Sequence, residues 1–215
     1  ICAMTEKSVE SLKAFLNKEN INFKEGMILA EQGISITKDG VKDSLSLFSK
    51  AYALTAEAKI KGVIEYIRYL LENKCKFLIF AHHKIMLDAL EEECKKKKLV
   101  YIRIDGDVPV NKRKSFIDTF QNDETCLVAL LSITACYSGI TLTKASTVVF
   151  AELYMTPAIM NQAEDRVHRI GQEHNCVHIR YLFGSGTIDD ILFDILNRKM
   201  NITSNTLDNK SQNMD

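Results

Sequence analysis

Three neighbouring stretches decide the fold: Lys76-Phe-Leu-Ile-Phe-Ala-His-His83, then Lys84-Ile-Met-Leu-Asp-Ala-Leu-Glu-Glu-Glu-Cys-Lys-Lys-Lys97, then Tyr101-Ile-Arg-Ile104. Phe77 to Ala81 is an unbroken apolar run of strand length, which fits a strand buried on both faces. His83 to Lys97 has helical spacing, and Tyr101 to Ile104 is a second strand. Strands apolar on both faces and separated by helices imply a parallel sheet covered on both sides, an α/β fold.

The alternation continues outward. A helix is predicted over Asn111 to Phe120, strands over Leu127 to Leu131 and Thr147 to Ala151, and a helix over Ala158 to Arg169. A strand over Val177 to Leu182 and a helix from Ile188 to about Asn201 follow. Thr187 is placed to cap that last helix, with Asp190 three residues on as in a capping box. Upstream, Val9, Leu12, Phe15 and Leu16 lie on one helical face, and Ile60, Val63, Ile64, Ile67, Leu70 and Leu71 on another. Between them, residues 21–43 include Gly26, Gly33 and the turn-like Lys38-Asp39-Gly40 and read as a loop or weak strands. Three regions are expected: a helical extension over 1–72, an α/β unit over 73–200, and a polar tail over 201–215 without fixed structure.

Composition removes several function classes. The 215 residues are 46% hydrophobic, enough for a core, and 28 basic residues balance 28 acidic ones. Global charge therefore does not draw the chain to nucleic acid, and any such contact has to come from local sites. No apolar run approaches the roughly 18 to 20 residues that span a bilayer. The opening, Ile1-Cys-Ala-Met-Thr-Glu-Lys, lacks the plan of a signal peptide and an initiating Met, which suggests a piece of a longer chain. Six scattered cysteines with no C-x-x-C indicate reduced thiols rather than a zinc or disulfide framework. His168, His174 and His178 around Cys176 lack a second ligand pair, so no metal site is expected.

In a parallel sheet, ligands gather at the carboxyl ends of the strands. Chemistry is therefore sought at His82-His83, Asp105-Gly106, Ser132 to Leu142 and Glu152 to Pro157. No G-x-x-x-x-G-K-[ST] occurs, and Gly184-Ser-Gly-Thr187 lacks its Lys and spacing, so the chain is not a complete P-loop ATPase. The most informative segment is Gln162-Ala-Glu-Asp-Arg-Val-His-Arg-Ile-Gly-Gln172. On a helix, Gln162, Arg166 and Arg169 share one ridge, beside an apolar face of Ile159, Ala163, Val167 and Ile170. Geometry alone leaves two readings open: a functional pair of guanidiniums, or a solvated basic face with an Asp165–Arg169 ion pair.

That segment resembles motif VI of the SNF2 family of DNA-dependent ATPases, within helicase superfamily 2. Further blocks agree in order: Lys76 to His83 resembles motif IV, Ile102 to Gly106 the next block, and Leu131 to Ala135 through Gly139 to Leu142 motif V. The resemblance covers roughly Leu54 to Met200. Ala-His-His, Ser-Ile-Thr-Ala and Phe-Ala-Glu-Leu-Tyr are similar to the HepA-related branch of annealing helicases. It implies the second RecA-like lobe of a motor that works on forked or double-stranded DNA in the nucleus, in DNA repair and at replication forks.

The resemblance also implies roles. ATP and Mg2+ would lie in the cleft against the N-terminal RecA-like lobe of the same parent chain, which brings the phosphate-binding lysine and the metal carboxylates. Arg166 and Arg169 match the arginine fingers. Gln162, Gly139 and Thr141 match positions toward the nucleotide and the lobe interface. His82, His83, Lys84, Ser132 and Thr134 match positions that hold the DNA backbone without reading bases. His82 and His83 also read as a pair that merely turns the chain at a strand end, and Lys95 to Lys98 as either a DNA patch or a solvated helix end. Ala135-Cys-Tyr-Ser138 departs from the Gly-rich motif V core of many members. The fragment alone is expected to be inactive. Two alternatives remain: the lobe of a nucleosome remodeller, and a non-catalytic DNA-binding or scaffolding module.

Overall fold

The computed structural model describes residues 38–134, 142–164 and 176–197. Along the chain it runs α1 (Lys38–Glu72), β1 (Phe77–Ala81), α2 (Lys84–Lys96), β2 (Val100–Ile104), α3 (Val110–Asn122), β3 (Cys126–Ser132), β4 (Thr147–Phe150), α4 (Pro157–Glu164) and β5 (His178–Tyr181). A last helix, α5, occupies 188–197. The five strands form one sheet in the order β2-β3-β1-β4-β5, and each of its pairings is parallel. This is the parallel α/β sheet expected from the alternating pattern, and the RecA-like architecture that the resemblance implies.

Strand periodicity builds two cores, one on each face. Phe77, Ile79 and Ala81 of β1 join Val128 and Leu130 of β3 and Val149 of β4 under Met86, Leu87, Leu90 and Cys94 of α2. Leu78 and Phe80 turn the other way, with Ala129, Leu131, Val148 and Phe150, toward Phe120 of α3, Met160 and Ala163 of α4, and Ile188, Leu192 and Leu196 of α5. Every residue of β1 is buried, because it pairs with β3 on one side and β4 on the other. Full burial of both faces explains why no polar residue interrupts the run.

Helix α1 serves both cores. Its 35 residues span about 52 Å, against about 17 Å for a five-residue strand, so it must overhang the sheet. Its second half lays Val63, Ile67 and Leu70 on the α2 side of the sheet. Its first half carries Phe48, Ala51 and Tyr52 into the opposite core, past the carboxyl edge of the strands. The structure corrects one expectation here: the helix begins at Lys38, so Lys38-Asp39-Gly40 starts α1 instead of closing a loop that runs to Asp43. The expected helix around Val9 to Leu16, the rest of that loop and the tail over 201–215 lie outside the described residues.

The start of α5 follows the sequence signal. The amide of Asp189 donates to Thr187 Oγ1 at 3.1 Å, as an N-cap requires. The Asp190 carboxylate reaches back to the Gly186 amide at 2.7 Å, one residue before the position a capping box would use. Beneath this cap Lys59 of α1 meets Asp189 at 2.6 Å, with both side chains closed off from solvent. Ile188 N also donates to Thr55 Oγ1, so α1 and α5 are joined by polar groups as well as by apolar packing. Among the described residues, no helix is long and apolar enough to cross a membrane.

Candidate functional site

From β1 the chain moves outward past β3 to β2, returns to β3, and then crosses β1 to reach β4. The direction of winding reverses around β1, and in open α/β sheets the crevice at such a reversal is where ligands bind. The carboxyl ends of β1, β3 and β4 meet there, carrying His82 and His83, Ser132 and Thr134, and Glu152.

Glu152 organises this edge. Its Oε2 accepts the His82 amide at 2.9 Å and the His83 amide at 3.0 Å, and its Oε1 lies 2.5 Å from His83 Nδ1. The side chain is 1% exposed. Burial pushes its carboxyl up, but the hydrogen bond and charge of His83 and the two amides outweigh that and hold it below the ordinary value of 4.5. An ionised carboxylate only accepts, so Nδ1 of His83 carries the hydrogen in this contact. His82 packs differently. Its ring stacks on Tyr52 at 5.4 Å and leans on Tyr154 at 5.1 Å. Burial, followed by the charge of His83, lowers its pKa.

Tyr52 connects α1 to this edge. It presents an edge to His83 at 4.5 Å and donates its hydroxyl to the Leu153 carbonyl. Burial, with the Glu152 charge behind it, raises its pKa and keeps it a phenol. The β4–α4 loop therefore holds the His82-His83 turn at three successive residues: directly through Glu152 and Tyr154, and through Tyr52 at Leu153.

Lys84, the first residue of α2, is 68% exposed and pairs with Asp107 at 2.7 Å. Ser132 Oγ and Thr134 Oγ1 are 3.1 Å apart at the end of β3, Ser132 buried and Thr134 exposed. At the end of β2, Arg103 is held by Asp88, Glu91 and Asp105 at 2.8–2.9 Å, which fixes the Asp105-Gly106-Asp107 turn against α2. On α4, Gln162 stands exposed while Ala163 is buried and Ile159 packs against the core, the division expected from helical spacing; Met160, which the expected apolar face does not include, is buried as well. Arg166, Arg169, Gly139 and Thr141 lie outside the described residues.

Sequence reasoning singled out neither Glu152 nor Tyr52, and Glu152 entered only as part of a segment following a strand. A carboxylate directly after the apolar run Val148 to Ala151 was the available signal. It also missed the Lys59–Asp189 pair, although Lys59 falls on the Ala56, Val63, Ile67 stripe of α1. Among the described residues no group of three or more His, Cys, Asp or Glu side chains could hold a metal ion. Cys176 Sγ and His178 Nε2 stand 3.6 Å apart.

Comparison with known proteins places the chain. A family model described as the helicase conserved C-terminal domain matches residues 58–171. The "SWI/SNF-related matrix-associated actin-dependent regulator of chromatin subfamily A-like protein 1" of Xenopus tropicalis is 51% identical over 162 residues, 75% of this chain and 17% of that protein. The "DNA annealing helicase and endonuclease ZRANB3" of Mus musculus is 46% identical over 171 residues, 79% of this chain and 16% of that protein. The chain thus spans under a fifth of the length of these relatives. Among solved structures, the C-terminal part of the Fun30 ATPase domain superposes with a TM-score of 0.59 at 22% identity, over 81% of this chain and 63% of that one, a likeness of fold. The chain belongs to the helicase conserved C-terminal domain family, as a RecA-like lobe of the SNF2 type.

Proposed function

We propose that this chain is the second motor lobe of an ATP-dependent DNA translocase of the annealing-helicase kind, acting in the nucleus on forked or double-stranded DNA. The observation that carries the reading is its 46% identity to a protein named as a DNA annealing helicase, over 79% of this chain. In this reading Arg166 and Arg169 stabilise the charge on the transferring phosphoryl group, and Gln162, Gly139 and Thr141 line the nucleotide side of the cleft. His82, His83, Lys84, Ser132 and Thr134 lie along the DNA backbone, where Lys84 supplies an exposed cation and Thr134 an exposed hydroxyl.

ATP and Mg2+ are held mainly by the N-terminal RecA-like lobe of the parent chain. This assignment agrees with the sequence, which has no phosphate-cradling G-x-x-x-x-G-K-[ST] of its own. The lobe by itself then hydrolyses no ATP. The words "regulator of chromatin" in one relative's name support a second reading, a lobe that moves nucleosomes. Arg169→Ala in the full-length parent tests the motor reading. DNA-stimulated kcat should fall by about 10³ to 10⁵ with DNA binding retained. Unchanged turnover would make the ridge a basic face and favour a non-catalytic DNA-binding or scaffolding module.

A further inference from the structure

A helix N-terminus with free amides is a ready site for phosphate. At the start of α2 the N-cap amide of His83, and the His82 amide just before it, are already engaged, because both point at Glu152 Oε2. Burying a carboxylate is costly unless it is fully hydrogen-bonded, and here two amides and an imidazole satisfy it. An internal anion thus takes up the two amides of the turn. Among the side chains of the turn and the first helical residue, the exposed Lys84 ammonium is what the DNA can then meet.

We propose that Glu152 is a positioning residue for DNA binding: it locks the His82-His83 turn so that the Lys84 side chain, instead of turn amides, meets the phosphate backbone. The assignment deepens the motor reading and rests on it. Glu152, Leu153 and Tyr154 grip the turn as one unit, directly or through Tyr52, and the same loop continues into α4 with Gln162. The turn that faces DNA and the helix that faces nucleotide are therefore anchored by one short segment.

The proposal predicts a sign that simple electrostatics does not. Removing a negative charge beside DNA should strengthen binding if charge alone matters. Glu152→Gln keeps an oxygen for the amides but gives up the charged acceptor for His83 Nδ1, and Glu152→Ala removes the lock altogether. In the full-length parent at fixed salt, binding to a double-stranded oligonucleotide should weaken about three- to tenfold in Glu152→Gln and further in Glu152→Ala. The slope of log K against log salt should shrink by roughly 0.9 for each phosphate that the protein ceases to neutralise. A purely structural lesion lowers the active fraction and leaves that slope where it was. Tighter or unchanged binding with an unchanged slope in folded Glu152→Gln overturns the proposal. Arg169→Ala measured in parallel separates the two failures. If it keeps full turnover, the motor reading falls; if it loses turnover while Glu152→Gln keeps its DNA affinity and slope, only the positioning role falls.

Discussion

Lys59 Nζ lies 2.6 Å from Asp189 Oδ2 across 130 residues of sequence, and neither side chain meets solvent. Asp189 Oδ2 also accepts the Gly184 amide at 2.9 Å, while its Oδ1 is buried without a hydrogen-bond partner among the described residues. Burial raises the Asp189 carboxyl and the Lys59 charge opposes it. Such a pair does little for net stability while both members are present, yet losing one leaves a stranded charge. Lys59→Ala should therefore destabilise the chain by about 3–5 kcal/mol, and Lys59→Met with Asp189→Leu should recover most of that. Urea unfolding of the unmodified chain and the two variants decides. A double variant no better than Lys59→Ala would contradict the account.

Gly184 lies over the Lys59 stem. A Cβ there would sit 3.3 Å from Lys59 Cδ, Lys59 Cγ and Thr187 Oγ1. Lys59 is pinned by Asp189, and Thr187 donates to the Gly184 carbonyl at 2.6 Å, so neither neighbour can move aside freely. Gly184→Ala should cost about 1–3 kcal/mol, the usual range for overpacking. Combined with Lys59→Met it should cost less, because the ion pair no longer holds the stem in place. A thermal-melt cycle on the two sites would reveal that coupling.

Acid should weaken the β1–β4 edge. The folded pKa of Glu152 is depressed below the ordinary 4.5, so the folded chain binds this proton less readily than the unfolded chain. The resulting stabilisation is complete above the ordinary value and is lost as pH falls through the lower folded value. The stability difference between the unmodified chain and Glu152→Gln should hold steady from about pH 7 to 5 and shrink toward pH 3. A difference that grows on acidification would reverse the assigned sign.

Lys84 offers a direct check on DNA binding. Its partner Asp107 is 76% exposed, so little structure depends on the pair, and exposed pairs contribute about 0–1 kcal/mol. Lys84→Ala should leave the melting temperature nearly unchanged and reduce the salt slope of duplex binding by roughly 0.9. An unaltered slope would remove Lys84 from the DNA path.

Local patterns carry much of this fold in the sequence. The Phe77 to Ala81 run, the helical spacing of α2 and the Thr187 cap each depend on residues within a few positions of one another, and each is legible. The site's internal bonds are not, because they join residues far apart. Glu152 meets His83 across 69 residues and Tyr52 meets Leu153 across 101, distances at which periodicity carries no information. His82 and His83 can be located at a strand end, but whether their rings face solvent or a buried carboxylate depends on β4 lying beside β1. A boundary at residue 72 says nothing of α1's contribution to both cores, because one helical stripe does not reveal how many surfaces it covers.

The strand order also determines how the molecule behaves in a crowded solution. A sheet edge is a template for another chain to pair with, and long, flat, apolar edges promote aggregation. Among the described residues, the fully buried β1 and the long β3 are interior, and the rims are the short β2 and the four-residue β5. β5 turns His178 and Arg180 outward, and β2 keeps Arg103 locked to three carboxylates. Brevity and charge at these two strands discourage strand addition, against the exposed Val100 and Tyr181 that they also carry.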